Sequence, residues 1–342
     1  MPVLNLNDDV AVAKYNAFIR QSPNAQISQD LGWAKVKNNW EPCYVYLEDT
    51  AGNITAALSM LLTMTPSGKK LAYASKGPVM DMSDLTTFDQ LIATAKQALG
   101  DDAYLLRLDP EVRYDAQFEA DLRAHGYEVR GRNVADQGMH ATIQPRLNMV
   151  IDFANYPDAT SLYDMVPSKT KNKLRKPERE GVVVDYGLDQ SFLDDFFETY
   201  VIMSNRHGIT HRPKDYFERM MQTYAGTDIM RIYRAKKDDV LLATTIGFKM
   251  GDKIWDMYAG SIDHDLTNAH YATRVHMVQW ALDAGLKRYD IGGIDHADNT
   301  DGLYKFKRNF VRQDPTEYIG EIDVVLDDAI YDELVRQPDQ QH

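Results

Sequence analysis

Hydrophobic and polar positions along this chain fall into two long blocks that repeat in the same order. In the first half, CYVYLEDTAGNITAALSMLLT is β-rich over residues 44–47, breaks at Gly52-Asn53 and resumes over 54–62, which predicts two strands joined by a turn. In the second half, MRIYRAKKDDVLLATTIGFKM does the same, with Lys237-Asp238-Asp239 at the break. A third strand follows in each block, KKLAYASKGPV around Tyr73 and Gly77, and DKIWDMYAGSI around Met257 and Gly260. The spacing of apolar residues then changes to three and four in LTTFDQLIATAKQAL and TRVHMVQWALDAG, so each predicts an amphipathic helix. Each half closes on a further strand, residues 104–108 and 288–291, that runs into a loop rich in Asp or Gly.

Matched elements keep an offset of about 183 to 184 positions, Gly77 with Gly260 and Leu105 with Tyr289, which points to an internal duplication. A hairpin, a third strand, a helix and a closing strand make a mixed α/β sheet layered with helices, not a run of alternating βαβ units. Such a unit resembles the acyltransferase fold of the GNAT class. Two units are also what the length requires, because single cores stop growing near roughly 250 residues and this chain has 342.

Composition narrows the chemistry. With 44% hydrophobic residues and 20 Tyr, the chain has ample surface to bury, and disorder is not expected. A net charge of -13 disfavours broad adhesion to nucleic acid or anionic membrane. One local exception is KTKNKLRKPER, residues 169–179, with six basic residues and one acidic, read most simply as a solvated helix face. The amino-terminal MPVLNLNDDV has neither a basic nor an apolar leader region and no long apolar run follows, so a soluble, cytoplasmic protein is expected. Cys43 stands alone, which excludes an intramolecular disulfide. His207 and His211 are four apart, but Gly208 and Pro213 interrupt a helix there, so no metal pair is expected. Where a GNAT enzyme cradles the coenzyme A pyrophosphate on a glycine-rich turn, this chain has VMDMSDLT and SIDHDLTNA; Walker, HExxH and GxGxxG motifs are missing as well. No cofactor is expected.

The strongest local signal is YDIGGIDHADNTDGLYKFKRNF, residues 289–310: a strand, a Gly-Gly pair, an acidic loop, then Gly302 before Leu-Tyr-Lys-Phe-Lys. Loops at strand ends are where open α/β sheets place ligands. On the residues alone, Lys307 reads as an ordinary solvated lysine and Asp109, in LLRLDPEV, as a loop carboxylate before proline.

This stretch resembles the carboxyl-terminal signature of the Fem family of non-ribosomal peptidyltransferases. PSKTKNKLRKPEREGVVV, RHGITHRPKDYF and QDLGWAKVKNNWEP resemble three further family segments, so the likeness spans almost the whole chain. Sustained heptads are missing, so the chain is similar to the members without a coiled-coil arm. The resemblance implies two GNAT-like domains flanking a cleft, 1–145 with 317–342 and 146–316, with the carboxyl-terminal helix returning to the first. It implies a monomeric aminoacyltransferase that moves alanine, with serine as second candidate, from aminoacyl-tRNA to the third-position lysine of UDP-MurNAc-pentapeptide, through a small local tRNA contact.

Carried over residue by residue, the resemblance assigns Lys37 and Arg212 to the UDP diphosphate, for which a guanidinium fork and an ammonium are suited. Asn38, Asn39, Trp40, Tyr104, Thr210, Tyr216, Tyr258 and Tyr304 complete the expected precursor-binding set. It assigns oxyanion stabilisation to Lys307, positioning of the donor ester to Phe306, and orientation of the acceptor ammonium to Asp109. Orientation is favoured because an unperturbed Asp, with a pKa of about 3.9, is a weak base toward lysine. Asp256 departs from the family pattern, placing a carboxylate where a cleft tyrosine is expected. A GNAT-type N-acetyltransferase and a non-catalytic sugar nucleotide binding module remain as alternatives.

Overall fold

Asp49 makes the first hairpin: its Oδ1 accepts from the N–H groups of Ala51 (2.9 Å) and Asn53 (2.8 Å), turning β1 (Glu41–Glu48) into β2 (Ile54–Met64). β2 pairs antiparallel with β3 (Lys70–Ala74), and β3 runs parallel to β4 (Ala103–Leu108) after the crossover through a 15-residue helix, Leu85–Leu99. In this computed structural model, which describes residues 2–340, the chain divides into two units, Met1–Leu147 with Thr316–His342, and Asn148–Pro315.

The first unit also holds helices α1 (Asp9–Gln21) and α2 (Gly32–Val36) ahead of β1; the crossover helix is α3 and α4 spans Ala116–Ala124. Its sheet is completed by β5 (Glu128–Arg130) and by a strand from the far end of the sequence, Glu321–Val325, which lies antiparallel between β4 and β5. α3 packs Phe88, Leu91, Ile92 and Ala95 against Leu58, Met60, Leu106 and Leu108 of the sheet. Each such large apolar side chain contributes about 1.5–3 kcal/mol when fully buried. The returning strand looks polar, yet Glu321 and Asp323 are wholly buried, because Arg107 clamps Asp323 through two bonds (2.7 and 2.6 Å) and Arg130 pairs with Glu321. Tyr331 adds a hydrogen bond to Asp323 at 2.8 Å.

The second unit repeats the plan. β6 (Leu147–Asp152) opens it, followed by α5 (Ser168–Leu174), α6 (Lys176–Arg179) and β7 (Val183–Gly187). α7 (Gln190–His207) and α8 (Lys214–Tyr224) precede β8 (Met230–Lys237) and β9 (Val240–Met250). Asp238 and Asp239 join these two strands with φ of 49° and 63°, the paired positive values of a turn whose twist suits a hairpin. β10 (Lys253–Ser261) is antiparallel to β9 and parallel to β11 (Arg288–Ile294) after the crossover through α9 (Ala269–Asp283), again 15 residues. Within this unit the strand order is β6-β11-β10-β9-β8-β7.

β1-β2-β3-α3-β4 and β8-β9-β10-α9-β11 therefore share order, pairing and crossover, as an internal duplication of a mixed α/β unit requires. β9 is buried almost end to end because α7 and α9 cover the sheet's two faces. Gly260 serves that packing: a Cβ there would lie 2.4 Å from the backbone nitrogen of Tyr200 on α7. Among the described residues, no helix is long and apolar enough to cross a membrane.

Candidate functional site

In the second unit, β11 ends in Gly292-Gly293, and the loop beyond it is tied off by Asp301. This nearly buried carboxylate accepts from Asp295 N–H (2.9 Å) and from Leu303 N–H (2.7 Å), capping α10 (Gly302–Lys307) and fixing its direction. α10 brings Phe306 and Lys307 back onto the sheet end. Lys307 is 9% exposed and donates from Nζ to the Gly293 carbonyl at 2.6 Å. Gly292 adopts φ +84° and, lacking a side chain, leaves the space beside it to the lysine: a Cβ would stand 3.5 Å from Nζ.

The nearby carboxylates are already engaged. Asp290 pairs with Lys253 at 3.0 Å and accepts from Gly292 N–H at 2.8 Å. Asp256 pairs with Arg274 Nε at 2.9 Å and accepts the Tyr289 hydroxyl at 3.1 Å. Among the described residues no carboxylate forms an ion pair with Lys307. Burial lowers the pKa of its ammonium to about 8, against the pull of Asp256 and Asp290. Phe306 lies over Tyr271 (centroids 6.0 Å apart, 14° between planes) and beside His270 and Phe310. Asp256, expected to face a cleft, is instead 8% exposed, its carboxylate met by Arg274 from α9 and by the Tyr289 hydroxyl from β11.

A second cluster of this unit surrounds Arg212. The Tyr216 and Tyr258 hydroxyls meet at 3.3 Å, and both rings pack edge-on against Phe217. Arg212 lies over the Tyr216 ring at 4.8 Å while its backbone N–H donates to the Tyr200 hydroxyl at 3.3 Å. An exposed guanidinium on a rigid aromatic shelf has lost much of its rotamer freedom before any anion arrives. Thr210 is exposed two residues earlier, and Tyr304 is half-buried on α10.

In the first unit, Asp109 follows β4 and is 6% exposed. It accepts from the Tyr73 hydroxyl of β3 and from the Lys76 backbone N–H. Burial raises its pKa to about 7 in spite of both bonds, so the expectation of an unperturbed carboxyl is corrected. Lys76 next to it is also buried and pairs with Glu111 at 2.5 Å. Lys37 ends α2, half-buried, and Asn38, Asn39 and Trp40 continue from it into β1 with both amides exposed. Tyr104, on β4, is 5% exposed and lies beside Leu105, Tyr331 and Val335.

Four residues escape a reading of the sequence: Arg274, Tyr289, Tyr73 and Glu111. For Arg274 a signal existed, since it shares a buried stripe of α9 with Met277, Val278 and Ala281. The tyrosines gave none.

Both crossover helices begin in a way that bears on the chemistry. Asp265 accepts from the N–H groups of Thr267 (2.8 Å) and Ala269 (2.6 Å) at the start of α9, and Asp84 accepts from Thr87 N–H (3.0 Å) at the start of α3. A GNAT enzyme offers such N–H groups to a pyrophosphate; here the chain's own carboxylates take them and repel an anion.

Two mixed sheets of one plan, with filled helix starts and a buried lysine at a strand end, define an acyltransferase of tandem GNAT build. A tandem GNAT protein from the clavulanic acid biosynthesis pathway shares that fold, with a TM-score of 0.54 at 13% identity over 94% of this chain and 97% of the other. A crystal structure of FemX matches with a TM-score of 0.85 at 20% identity, covering 98% of this chain and all of that one. A UDP-N-acetylmuramoylpentapeptide-lysine N(6)-alanyltransferase of Weissella viridescens is 56% identical over 336 residues, 98% of this chain and 100% of the relative. The FemAB family model matches residues 10–232 and 227–334. The chain belongs to the FemAB family and is an aminoacyltransferase.

Proposed function

We propose that this protein transfers alanine from alanyl-tRNA to the side-chain amine of the third-position lysine of UDP-MurNAc-pentapeptide, a step in building the peptidoglycan interpeptide bridge. The observation that carries this is the near full-length likeness to the Weissella alanyltransferase, supported by a buried Lys307 that donates to the Gly293 carbonyl at the strand end.

The ester of aminoacyl-tRNA is already activated. Attack by the lysine amine forms the new C–N bond and places negative charge on the former carbonyl oxygen. The C–O bond to the ribose then breaks and the leaving oxygen takes a proton. Lys307 stabilises the oxyanion: its ammonium sits where water is largely excluded, so its charge counts for more than in bulk solvent. With a pKa of about 8 it is also matched to donate a proton near neutrality. Phe306, held by the Tyr271 and His270 rings, positions the donor end. Asp109 orients the acceptor ammonium, and its raised pKa makes it a better acceptor of the departing proton than an exposed carboxylate. Lys37 and Arg212 hold the diphosphate, with Asn38, Asn39, Trp40, Tyr104, Thr210, Tyr216, Tyr258 and Tyr304 lining the precursor.

The test is transfer of radiolabelled alanine from alanyl-tRNA to purified lysine-containing precursor, with seryl- and glycyl-tRNA run in parallel. Alanine on the precursor supports the reading. Faster transfer of serine or glycine changes the donor, and silence from all three at high enzyme concentration removes the function.

A further inference from the structure

Lys307 is held by a carbonyl alone, so something else must keep a flexible, four-carbon side chain at the sheet end with its charge intact. The elements packed around it supply the candidates. β10 contributes Lys253 and Asp256, β11 contributes Tyr289 and Asp290, α9 contributes His270 and Arg274, and the loop before α10 contributes Asp301. Lys253 and Asp290 neutralise each other, and Asp301 is spent on backbone N–H groups. Burial pushes His270 down to about 4, so it is neutral near pH 7. What remains is Asp256 and Arg274.

Arg274 touches three parts of the site at once. Its Nε lies 2.9 Å from Asp256, its Nη1 donates to the His270 carbonyl at 3.0 Å, and its guanidinium lies 5.2 Å from the centre of the Phe306 ring. Side-chain exposure is 8% for the arginine and 4% for the aspartate. The pair therefore ties β10 and α9 to the residue next to Lys307, and each member acts on the lysine with opposite sign: the carboxylate favours its ammonium and the guanidinium opposes it.

We propose that Asp256 and Arg274 form a buried positioning pair for Lys307, in which Arg274 seats Phe306 and α10 while Asp256 cancels the arginine's charge so that the Lys307 ammonium survives burial. The proposal rests on the transferase reading for its catalytic consequence, but its physical content, the control of Lys307, stands apart from any substrate. Neither residue touches substrate in this scheme. Asp256→Asn leaves a lone guanidinium beside Lys307 and makes the ammonium harder to keep. Arg274→Gln leaves a lone carboxylate and makes it easier. The double variant removes both influences and returns the lysine toward its original titration.

The experiment is a pH titration of the Lys307 Cε resonance in the full chain, labelled selectively with 13C-lysine and assigned by its absence in Lys307→Arg, alongside pH profiles of alanine transfer. Asp256→Asn is expected to lower the Lys307 inflection by about one pH unit or more, and Arg274→Gln to raise it. For a one-unit fall, kcat at pH 8 drops about fivefold, because the charged fraction falls from about a half to about a tenth, while KM for the precursor stays near the wild-type value. Arg274→Lys restores most of the titration. An inflection unmoved in both single variants overturns the proposal. Where a single variant does not fold, the double variant, which leaves no lone buried charge, decides: a kcat equal to wild type overturns the positioning role. Shifted inflections in a protein silent in every transfer assay would instead leave the pairing intact and remove the function.

Discussion

Lys76 in the first unit and Lys307 in the second are both buried lysines at the carboxyl-terminal end of a parallel strand pair, on sheets of the same plan. Lys76 has a buried carboxylate, Glu111, at 2.5 Å. Lys307 has a carbonyl, and the carboxylates near it are engaged with Lys253 and Arg274. The first arrangement neutralises charge and serves the fold. The second keeps a cation buried without neutralising it, which opposes folding and prepares a group to meet an oxyanion. Duplication supplied one scaffold, and the difference between the two lysines is whether a carboxylate was placed opposite.

That contrast can be broken most forcefully from the first unit. Glu111→Gln removes the carboxylate opposite a buried ammonium and is expected to cost about 3–5 kcal/mol of stability in urea denaturation at pH 7. Lys307→Ala should do something different: kcat falls by roughly 10²–10³-fold with precursor KM little changed, as for loss of an oxyanion donor. Lys307→Met, which keeps the volume, is expected to raise the melting temperature at pH 7. The sign follows from a folded pKa of about 8, below the usual 10.5: the buried charge opposes folding fully below pH 8, and the gain from its removal fades between pH 8 and 10.5. A melting temperature that falls in both the Lys307→Met and Glu111→Gln variants would erase the contrast.

Smaller effects sharpen it. Gly292→Ala forces a side chain into φ +84° and toward Nζ, so a loss of about 1–2 kcal/mol is expected together with a lower kcat, read from thermal melts and steady-state kinetics. For Asp109 the folded pKa, about 7, lies above the usual 3.8, so its contribution to stability is fully present below pH 3.8 and is lost as pH rises to about 7. Asp109→Asn should therefore gain on wild type across that window and hold a constant lead above it, measured by melts at matched ionic strength.

Much of this was legible in the chain. The repeated hairpins could be read because turns demand particular residues: Asp238-Asp239 takes up positive φ and Asp49 folds onto Ala51 and Asn53. The helix predicted from LTTFDQLIATAKQAL runs over the same 15 residues in the structure, since its apolar spacing and the capping Asp84 act locally. Other features depend on distant partners. EIDVV has alternating charge that suggests a half-exposed strand, and only Arg107 and Arg130 make it buried. KTKNKLRKPER divides into two short helices, α5 and α6, where one basic face was expected. Asp256 was expected to face a cleft because alternation tells which residues share a face, not which face meets another element. Set in register on Gly77 and Gly260, Tyr73 falls on Asp256. In each unit a tyrosine hydroxyl meets a carboxylate across adjacent parallel strands, with donor and acceptor exchanged.

The strand Glu321–Val325, seated between β4 and β5, has a consequence for the order of events at the ribosome. Domains made of continuous sequence fold as they emerge, amino-terminal first, at roughly 5–20 residues synthesised per second. Here the amino-terminal unit has an interior strand that is translated last. The second unit, continuous from Asn148 to Pro315, can close while the first still holds an open sheet edge between β4 and β5. For the roughly ten to forty seconds needed to make the intervening residues at that rate, Arg107 and Arg130 wait without Glu321 and Asp323, and the nascent chain is at its most exposed to chaperones and to mispairing with a neighbour.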